Sequence, residues 1–482
     1  MIKITKKSNI EISYSIIQNN HLFTMYPVNK EIIIDTINDL TIIEELLIKD
    51  DYYFSDFGKR DGRYIYQNNN NEFAIVYINN RHYTISYLEL LHENNKFDYN
   101  NNFELYVSII DDYINEKYNI KNFELKKPNF DNCLVNLASS FQKKFGNKSK
   151  YKSIKLVDDL IKDYNKVTLL LLDGLGVNIL NNLSKQGILN KNKIDTISSI
   201  FPPTTVAATT CLQSGVLPGE SGWIGWYQYF KSVDKNIVLF KNEDYYTGEL
   251  LDDNIVSDNI NYTPYYDSFK KCYKLMPHFM ENGFESFSSL IDEIITISNK
   301  KDEQSFTYAY WDAPDNLIHE YGCFSNEVTM KLEEIQKDLE KLETDLSEDS
   351  CVIIIADHGL VDVLEIHFHN FLSLKELCTL KPSIEGRSCS FTVKDKERFK
   401  VEFNKYFSCY FDLYTKDEFL KSGLIGDDVS KGQDFIGDYM AIAKSDYYIN
   451  PKNEAGRFKA AHAGLTKDEM DVPLIFIKKK TV

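Results

Sequence analysis

The chain has 482 residues, of which 43% are hydrophobic and 26% charged, a composition typical of a globular protein. Its formal net charge of −17 argues against a protein whose main task is to coat nucleic acid or an anionic membrane. A small anionic substrate remains compatible with this charge, because a bound metal ion reverses the local field inside one pocket.

The eight cysteines include no CxxC pair, and most lie in apolar surroundings. This usage predicts reduced core residues and a cytoplasmic protein. The N-terminus lacks the continuous apolar segment of a signal peptide. The longest apolar runs, VTLLLL and CVIIIA, are far shorter than the ~20 residues that span a bilayer. We therefore expect an intracellular protein with neither a membrane nor long nucleic acid as its partner.

Residues 1–127 differ in composition from the rest of the chain. Alternating segments such as FAIVYI and RHYTISYLEL are separated by Asn-rich clusters, and YVSIIDDYINEKY has a helical pattern. The region is predicted to be a small mixed or β-rich accessory domain. No catalytic pattern stands out in it, so its role stays open.

A second domain is predicted over residues 128–482. The segment CLVNLASSFQKKFG begins it with one apolar helical face, and residues 326–346 repeat apolar side chains at helical spacing. Continuous apolar strands separated by helices indicate a parallel sheet that is buried on both faces. Four such runs are VTLLLL (167–172), SFTYAYW (305–311), CVIIIA (351–356) and VPLIFI (472–477). The intervening residues 224–304 and 361–455 are expected to form a cap that sets substrate choice.

The segment SIFPPTTVAATTCLQSG, residues 199–215, places threonines where a helix is predicted to begin after two prolines. A hydroxyl at a helix start usually caps the helix. It can also be a nucleophile, because the unpaired N–H groups and the helix dipole favour an incoming anion. The segment alone leaves both interpretations open.

Acidic and imidazole side chains lie next to the four strand-like runs. Each alone is more simply interpreted as a turn residue, a helix pair or a cap. Together they favour a metal site, because ligands of an open parallel sheet bind beyond the carboxyl ends of its strands. The residues are Asp173, Asp312, Asp315, His319, Asp357, His358 and His462.

The candidate ligands are carboxylates and imidazoles without a thiolate. This set suits Zn²⁺, with Mn²⁺ or Fe as substitutes. It exceeds the needs of one tetrahedral ion and suits two ions about 3.5–4 Å apart, which clamp the attacking and leaving oxygens in phosphoryl displacement. A threonine hydroxyl needs such help to become a nucleophile at neutral pH.

These motifs, in this order along roughly residues 128–482, resemble the type I phosphodiesterase/nucleotide pyrophosphatase family of the alkaline phosphatase superfamily. The motifs are LLLLDGLG, SIFPPTTVAATTCLQSGVLPGESGWIGW, YWDAPDNLIHEYG, IIIADHG and AAHAGLTKDEMDVPLIFI. The resemblance implies an α/β fold, with an alkaline-phosphatase-like core, a mostly parallel sheet flanked by helices, and an inserted cap. It also implies a two-metal hydrolase of phosphate diesters or nucleotide pyrophosphates that works through a phospho-threonine intermediate. The implied partner is a small phosphate ester, with nucleotides among the candidates.

The resemblance also assigns site residues. It implies that Thr205 is the nucleophile, with Thr204 as the alternative. Asp312 is interpreted as a residue that orients His319. The ligands implied for one zinc are Asp173, Thr205, Asp357 and His358, and those for the other are Asp315, His319 and His462.

One position departs from the family pattern. Ala208 stands where nucleotide pyrophosphatases often carry an Asn that holds the phosphate. Thr209, Thr210 or backbone N–H groups are candidate substitutes. Arg387, in SIEGRSCS, is either a phosphate clamp or a solvated surface residue.

Two other functions fit the same sequence. A phosphomonoesterase or phosphomutase would use the same scaffold and metals. A non-catalytic binding protein would use residues 1–127 as its working part. The complete set of candidate ligands favours an enzyme over the latter.

Overall fold

A computed structural model describes the chain from residue 123 to residue 480, except for 253, 302–303, 409 and 453–457. Before residue 123 it describes Leu47 and the strands of one sheet. These strands are β1 (Lys3–Lys7), β2 (Tyr14–Gln18), β3 (His21–Asp35), β4 (Tyr53–Arg60), β5 (Arg63–Gln67), β6 (Phe73–Asn79) and β7 (His82–His92).

This N-terminal sheet has the order β1-β3-β7-β6-β5-β4, with β2 paired to β3, and its pairs are antiparallel. The alternating segments FAIVYI and RHYTISYLEL form β6 and β7, as predicted. The helix predicted in YVSIIDDYINEKY lies outside the described residues. Tyr66 and Ala74 share a buried apolar cluster with Phe391 and Phe403, so the sheet packs against the later part of the chain. The boundary near residue 127 stays a prediction.

The elements that follow alternate between helices and strands. The first are α1 (Leu134–Lys144), α2 (Lys155–Ile161), β8 (Lys166–Leu172), α3 (Val177–Asn181), α4 (Ile188–Lys191), β9 (Lys193–Ser198), α5 (Thr205–Ser214), α6 (Pro218–Ser221), β10 (Tyr227–Phe230), β11 (Lys235–Val238), β12 (Glu243–Asp244) and α7 (Ile255–Asn259). Next come β13 (Cys272–Leu275), α8 (Phe287–Ser298), β14 (Ser305–Trp311), α9 (Asp315–Tyr321), α10 (Asn326–Asp345) and β15 (Ser350–Ile355).

The last quarter of the chain contains mostly short elements. They are β16 (Val361–Asp362), β17 (Leu364–His367), α11 (Leu372–Lys375), β18 (Ser383–Ile384), β19 (Ser388–Phe391), α12 (Lys396–Phe407), β20 (Phe411–Thr415), α13 (Lys416–Lys421), β21 (Tyr439–Ala443), β22 (Tyr447–Asn450), β23 (Ala460–Ala461), α14 (Lys467–Met470) and β24 (Asp471–Lys478). Short 3₁₀ turns cover Tyr265–Ser268, Phe368–Asn370 and Gly432–Phe435.

The core sheet has the strand order β13-β14-β8-β15-β24-β9 among the described residues. Strands β13, β14, β8 and β15 are parallel neighbours. Every residue of β8 and β15 is buried, because these apolar strands are covered on both faces. Helix α10 buries its apolar residues at helical spacing beside this sheet. The predicted α/β fold with a mostly parallel sheet is therefore confirmed.

The direction of the last strand differs from the sequence-based expectation. β24 runs antiparallel to β15, with Ile354 opposite Ile475. The Gly359 amide donates to the Glu469 carbonyl at 2.9 Å, so α14 already lies at the edge where β15 ends, and the strand that follows it directly runs back antiparallel. β24 therefore starts at the edge where β8, β14 and β15 end.

A second sheet combines the two stretches predicted to form the cap. Its order is β12-β11-β10-β18-β19-β21-β20, so strands from both stretches pair through β10 and β18. The first stretch contributes less to this sheet than expected. Its later part returns to the core, where β13 is an edge strand and α8 lies against α10.

Three further observations bear on the sequence-based predictions. None of the described helices has the length and apolar character needed to cross a lipid bilayer. The seven described cysteines are free thiols, and Cys409 lies outside the described residues. The cytoplasmic location stays a prediction.

A buried ion pair joins the cap sheet to the core. Arg387 precedes β19, and its guanidinium donates to the Glu469 carboxylate in α14 through Nε at 2.6 Å and Nη2 at 2.9 Å. It also donates to the carbonyl oxygens of Ser445 and Tyr447. Both charged side chains are fully buried. Arg387 is therefore neither a solvated surface residue nor free to clamp a phosphate.

Replacing Arg387 by Met should destabilise the fold strongly. The variant would leave Glu469 buried without its cation, which costs about 3–5 kcal/mol. Urea unfolding at neutral pH measures the free energy of unfolding. The exposed Arg398, in α12, is the matched control, and Arg398→Met should change the stability by no more than about 0.5 kcal/mol. Wild-type stability in the Arg387→Met variant would contradict a structural role for the pair.

Candidate metal centre and active site

The candidate ligands meet at the edge of the core sheet where β8, β14 and β15 end. Asp173 follows β8, and Asp357 and His358 follow β15. Asp315 and His319 lie on α9, directly after β14. His462 precedes β24 and reaches the same edge because that strand is antiparallel. If β24 had been parallel to β15, His462 would lie at the opposite edge of the sheet, away from the other candidate ligands.

Backbone hydrogen bonds fix the loops that carry these side chains. The Asp173 amide donates to the Trp311 carbonyl, and the Asp315 amide donates to the Asp173 carbonyl at 3.1 Å. Gly174 has a φ of +73°, and a Cβ there would lie 2.9 Å from the Asp315 Cα. Its amide donates to Asp357 Oδ1 at 3.1 Å. A glycine is therefore required where the two acidic loops approach each other.

One group of ligands surrounds the start of α5. Ligand atoms of Asp173, Asp357 and His358 all lie within 4.8 Å of one another. His358 Nε2 is 3.6 Å from Asp173 Oδ1 and 3.6 Å from Asp357 Oδ2. The Thr205 hydroxyl lies 3.2 Å from His358 Nε2 and 3.5 Å from Asp173 Oδ1. All four side chains are at most 9% exposed.

The second group lies beside the first. Asp315, His358 and His462 also offer ligand atoms within 4.8 Å of one another. His319 Nε2 is 3.4 Å from Asp315 Oδ2. The His462 ring stacks on His358 with centroids 3.8 Å apart, and its centroid is 5.1 Å from that of His319. His358 therefore adjoins both groups, whereas the family resemblance assigns it to one.

These distances fit cations. Two ligand atoms bound to one tetrahedral ion at about 2.1 Å lie about 3.4 Å apart, close to the 3.2–3.6 Å separations of the two groups. Asp357 Oδ2 and Asp315 Oδ1 are buried and have no hydrogen-bond partner among the described residues. Such orphaned carboxylate oxygens are expected where a metal ion supplies the missing partner.

The charges in the centre point the same way. Burial raises the pKa of Asp173 well above its usual range, and the charges of Asp357 and Asp315 raise it further. Burial also raises the pKa of Asp357. Burial lowers the pKa of His462 well below its ordinary value, with the neighbouring imidazoles as a further cause, so this ring is neutral at pH 7. Bound cations would remove the repulsion between the carboxylates and would use the free imidazole nitrogens.

Each histidine is oriented by a backbone carbonyl. The Nδ1–H groups of His319, His358 and His462 donate to the carbonyl oxygens of Ala460, Gly359 and Pro203, at 2.7, 3.1 and 3.1 Å. Such bonds leave Nε2 unprotonated and available as a ligand. The interpretation of Asp312 is therefore wrong: Ala460 orients His319, while Asp312 accepts a hydrogen bond from Asn316.

The two candidate nucleophiles have different environments. Thr205 is the first residue of α5 and faces Asp173 and His358. The Thr204 hydroxyl instead donates to Glu385 Oε1 at 2.7 Å and does not cap the helix. The geometry therefore favours Thr205 over Thr204.

Two of the remaining candidate contacts, Thr209 and Arg387, are used elsewhere. The Thr209 hydroxyl donates to the Thr205 carbonyl at 2.7 Å inside α5, so its only proton is engaged. Ala208 is fully buried and offers no polar group. Arg387 is bound to Glu469. Among the substitutes considered for the missing Asn, the backbone N–H groups at the start of α5 are the best placed.

A pocket of about 240 Å³ opens over the centre and is walled largely by the cap. Sequence reasoning missed most of this wall, because its residues come from short cap strands and loops without a motif. The pocket is lined by Thr205, Trp226, Tyr227, Tyr245, Asp315, His319, Glu385, Gly386, Tyr448, Asn450, Lys452, Phe458, Ala461 and His462.

Glu385 is the acidic residue of this cap wall. Its Oε1 accepts hydrogen bonds from the Thr204 hydroxyl and from the Trp226 amide. The preceding Ile384 has a φ of +84°, a conformation that costs a β-branched residue about 1–3 kcal/mol and that clusters at functional sites. Sequence patterns give no signal for this strained turn.

The carboxyl of Glu385 should make stability depend on pH. Burial raises its pKa from 4.5 to about 7, so the folded chain holds this proton more tightly than the unfolded chain does. The resulting stability is complete below pH 4.5 and is lost as the pH rises through about 7. In metal-free protein, the wild type should lose about 3 kcal/mol relative to Glu385→Gln over this range.

Urea unfolding at about pH 4.5 and about pH 8 measures this difference. Glu376→Gln, at an exposed position, is the control and should follow the wild type at both values. If the free energy of unfolding changed equally with pH in the wild type and in Glu385→Gln, the pKa of Glu385 would not be raised by folding, which would contradict this prediction.

Metal content tests the ligand assignment. Asp357→Asn should bind less zinc than the wild type after dialysis against a buffered zinc solution, because it removes a fully buried charged ligand. Elemental analysis gives the stoichiometry, and circular dichroism confirms folding. Asp312→Asn, at a half-buried carboxylate outside both groups, should retain wild-type zinc. Equal zinc in both variants would remove Asp357 from the ligand set.

Comparison with known proteins supports the family prediction. The chain matches the type I phosphodiesterase/nucleotide pyrophosphatase family over residues 167–465, more than half of its length. No functionally curated protein matches the sequence significantly.

Among solved structures, that of mouse ectonucleotide pyrophosphatase/phosphodiesterase 5 is 17% identical, with a TM-score of 0.49. The complex of its inactive variant with AMP is 16% identical, with a TM-score of 0.48, and the human protein is 14% identical, with a TM-score of 0.46. Each match covers 64% of this chain and 87% of the other chain.

The matched residues span all the candidate ligands, from Asp173 to His462. The family consists of metal-dependent hydrolases on an alkaline-phosphatase-like scaffold, so this chain is a hydrolase of the phosphodiesterase/pyrophosphatase type. The chain belongs to the type I phosphodiesterase/nucleotide pyrophosphatase family.

Proposed function

We propose that the chain hydrolyses phosphate diesters or nucleotide pyrophosphates with two divalent cations and a covalent intermediate on Thr205. The observation that carries this proposal is the position of the Thr205 hydroxyl. It lies at the start of α5, 3.2 Å from His358 Nε2 and 3.5 Å from Asp173 Oδ1. A hydroxyl so placed lies beside ligand atoms and at a helix N-terminus, where an anion is stabilised.

The ligand sets follow from the two groups of side chains. Asp173, Thr205, Asp357 and His358 would hold one cation. Asp315, His319 and His462 would hold the other. The oxygen and imidazole donors favour Zn²⁺, with Mn²⁺ or Fe as substitutes. When bound, such cations supply Lewis-acid stabilisation of the negative charge that develops on the phosphoryl and leaving oxygens.

The chain's own residues perform two displacements. In the first, Thr205 Oγ1 loses its proton to solvent and bonds to phosphorus, while the bond to the leaving oxygen breaks and that oxygen takes up a proton. In the second, a water oxygen bonds to phosphorus and the bond to Thr205 Oγ1 breaks, which restores the threonine hydroxyl and releases a phosphate or phosphomonoester. Tyr310 donates its hydroxyl hydrogen bond to Asp173 and holds that carboxylate in place throughout.

Backbone groups would take over the role of the missing Asn. The amides of Val206 and Ala207 belong to the first turn of α5 and have no partner within the helix. They lie next to the nucleophile and are suited to stabilise the phosphoryl oxygens. A backbone site of this kind makes no demand on a base or sugar, so substrate choice would rest with the cap.

The nucleophile is tested by a pair of neighbouring variants. Thr205→Ala should lower the kcat for bis-p-nitrophenyl phosphate by at least about a thousandfold, because it removes the hydroxyl that lies beside Asp173 and His358 at the start of α5. Thr204→Ala, the matched control, should lower it by no more than about tenfold. Release of p-nitrophenol measures the rate, and mass spectrometry of quenched wild-type enzyme tests for phosphate on Thr205.

Two results would contradict the proposal. Near-normal turnover by Thr205→Ala would remove this residue as the nucleophile. A wild-type rate that is much higher on p-nitrophenyl phosphate than on the diester would favour the alternative of a monoesterase on the same scaffold.

A further inference from the structure

The pocket over the metal centre adjoins a second cavity. This cavity has a volume of about 530 Å³ and shares Lys452 with the pocket. Lys375, Lys381 and His369 also line it, and no acidic residue does among the described part of the chain. The charged side chains that line this cavity among the described residues are therefore all basic, although the whole chain has a net charge of −17.

Two of these lysines are held by aromatic rings. Lys452 Nζ lies 4.3 Å from the centre of the Tyr245 ring, and Lys381 Nζ lies 4.5 Å from the centre of the Tyr246 ring. The two rings are perpendicular, with centroids 5.1 Å apart. Tyr227 stacks on Tyr245 at 3.6 Å and fixes its orientation. We call Tyr245 and Tyr246 the tyrosine ledge.

The ledge positions the ammonium groups without neutralising them. A cation–π contact attracts the charge to the ring but leaves it available to an anion. Neither Lys381 nor Lys452 forms an ion pair with a carboxylate within the described residues, in contrast to Lys150, Lys235 and Lys444. Burial lowers the pKa of His369, and the charges of His367 and Lys375 lower it further, which is consistent with a positive environment.

The position of Lys452 connects this environment to the reaction. Lys452 lines the same pocket as Thr205 and His462, so the solvent space is continuous from the nucleophile to the ledge. A substrate whose phosphorus lies at Thr205 would extend past the rings of Tyr448 and Phe458, which also line the pocket. Its far end would reach the unpaired lysines.

We infer that Lys381 and Lys452, held on the tyrosine ledge, bind a second phosphate group of the substrate. This inference rests on the proposed function and narrows it. The substrate class is a phosphodiester or pyrophosphate whose organic arm carries a further phosphate, as in a nucleotide with phosphates at two positions. A substrate with a neutral arm would leave the two ammonium groups unused and would bind less tightly.

The test compares two ligands that differ by one phosphate. Thymidine 5′-monophosphate and thymidine 3′,5′-bisphosphate are titrated into the zinc-loaded full chain by calorimetry, at constant ionic strength because salt screens these contacts. The bisphosphate should bind the wild type at least about tenfold more tightly, as expected for new hydrogen bonds between charged groups.

Variants assign this gain to the ledge. The double variant Lys381→Gln/Lys452→Gln should lose most of the gain. Lys431→Gln, which removes an exposed lysine in a different cavity, is the matched control and should keep it. Circular dichroism and zinc content establish that each variant is folded and loaded.

The outcomes separate the inference from the proposed function. Equal affinity of the two ligands for the wild type, or a gain that survives in the double variant, would overturn the inference. If Lys431→Gln lost the tighter binding of the bisphosphate to the same extent, the effect would come from overall charge, and this result would also overturn the inference. Tighter binding of the bisphosphate without hydrolysis of bis-p-nitrophenyl phosphate would support the inference and contradict the proposed function. Hydrolysis without tighter binding of the bisphosphate would support the proposed function and contradict the inference.

Discussion

The structure depends on one electrostatic constraint, the burial of carboxylates at a single edge of the core sheet. Burial raises the pKa of Asp173 and of Asp357, and the neighbouring charge of Asp315 raises both further. The His462 imidazole beside them does not provide a counter-charge, since burial lowers its pKa. Divalent cations would satisfy this constraint, and backbone hydrogen bonds fix the loops that carry the carboxylates.

That geometry comes from parts of the chain with little freedom. Strands β8 and β15 are buried throughout, so the packed core fixes the positions of the residues that follow them. Carbonyl groups orient the histidines, and Gly174 lets two acidic loops meet. Ala463, directly after His462, has a φ of +87°, which is a strained conformation for any residue other than glycine. Strain of this kind persists only where neighbouring contacts impose it.

The cap is organised differently from the core. Its sheet combines strands from two separate stretches of the chain, and the Arg387–Glu469 pair ties it to α14. Aromatic rings, the Glu385 carboxyl group and Lys452 face the pocket from this side, and Lys381 faces the adjoining cavity. In the proposed mechanism the core would carry the groups that act on phosphorus, and the cap would present those that recognise the rest of the substrate.

Local patterns in the sequence determined the core strands, the long helix α10 and the acids that follow the strands, because apolar periodicity and residue type act over a few positions. They also indicated that acids and imidazoles would meet at one edge of the sheet, although Asp312, which the pattern included, lies outside both groups. Only the tertiary structure decided that β24 is antiparallel, that Thr205 rather than Thr204 faces the ligands, and that Arg387 is a buried partner of Glu469. It also revealed Glu385 and the tyrosine ledge. Strand direction, ion pairing and pocket lining depend on residues far apart in the chain, and no local pattern records those contacts.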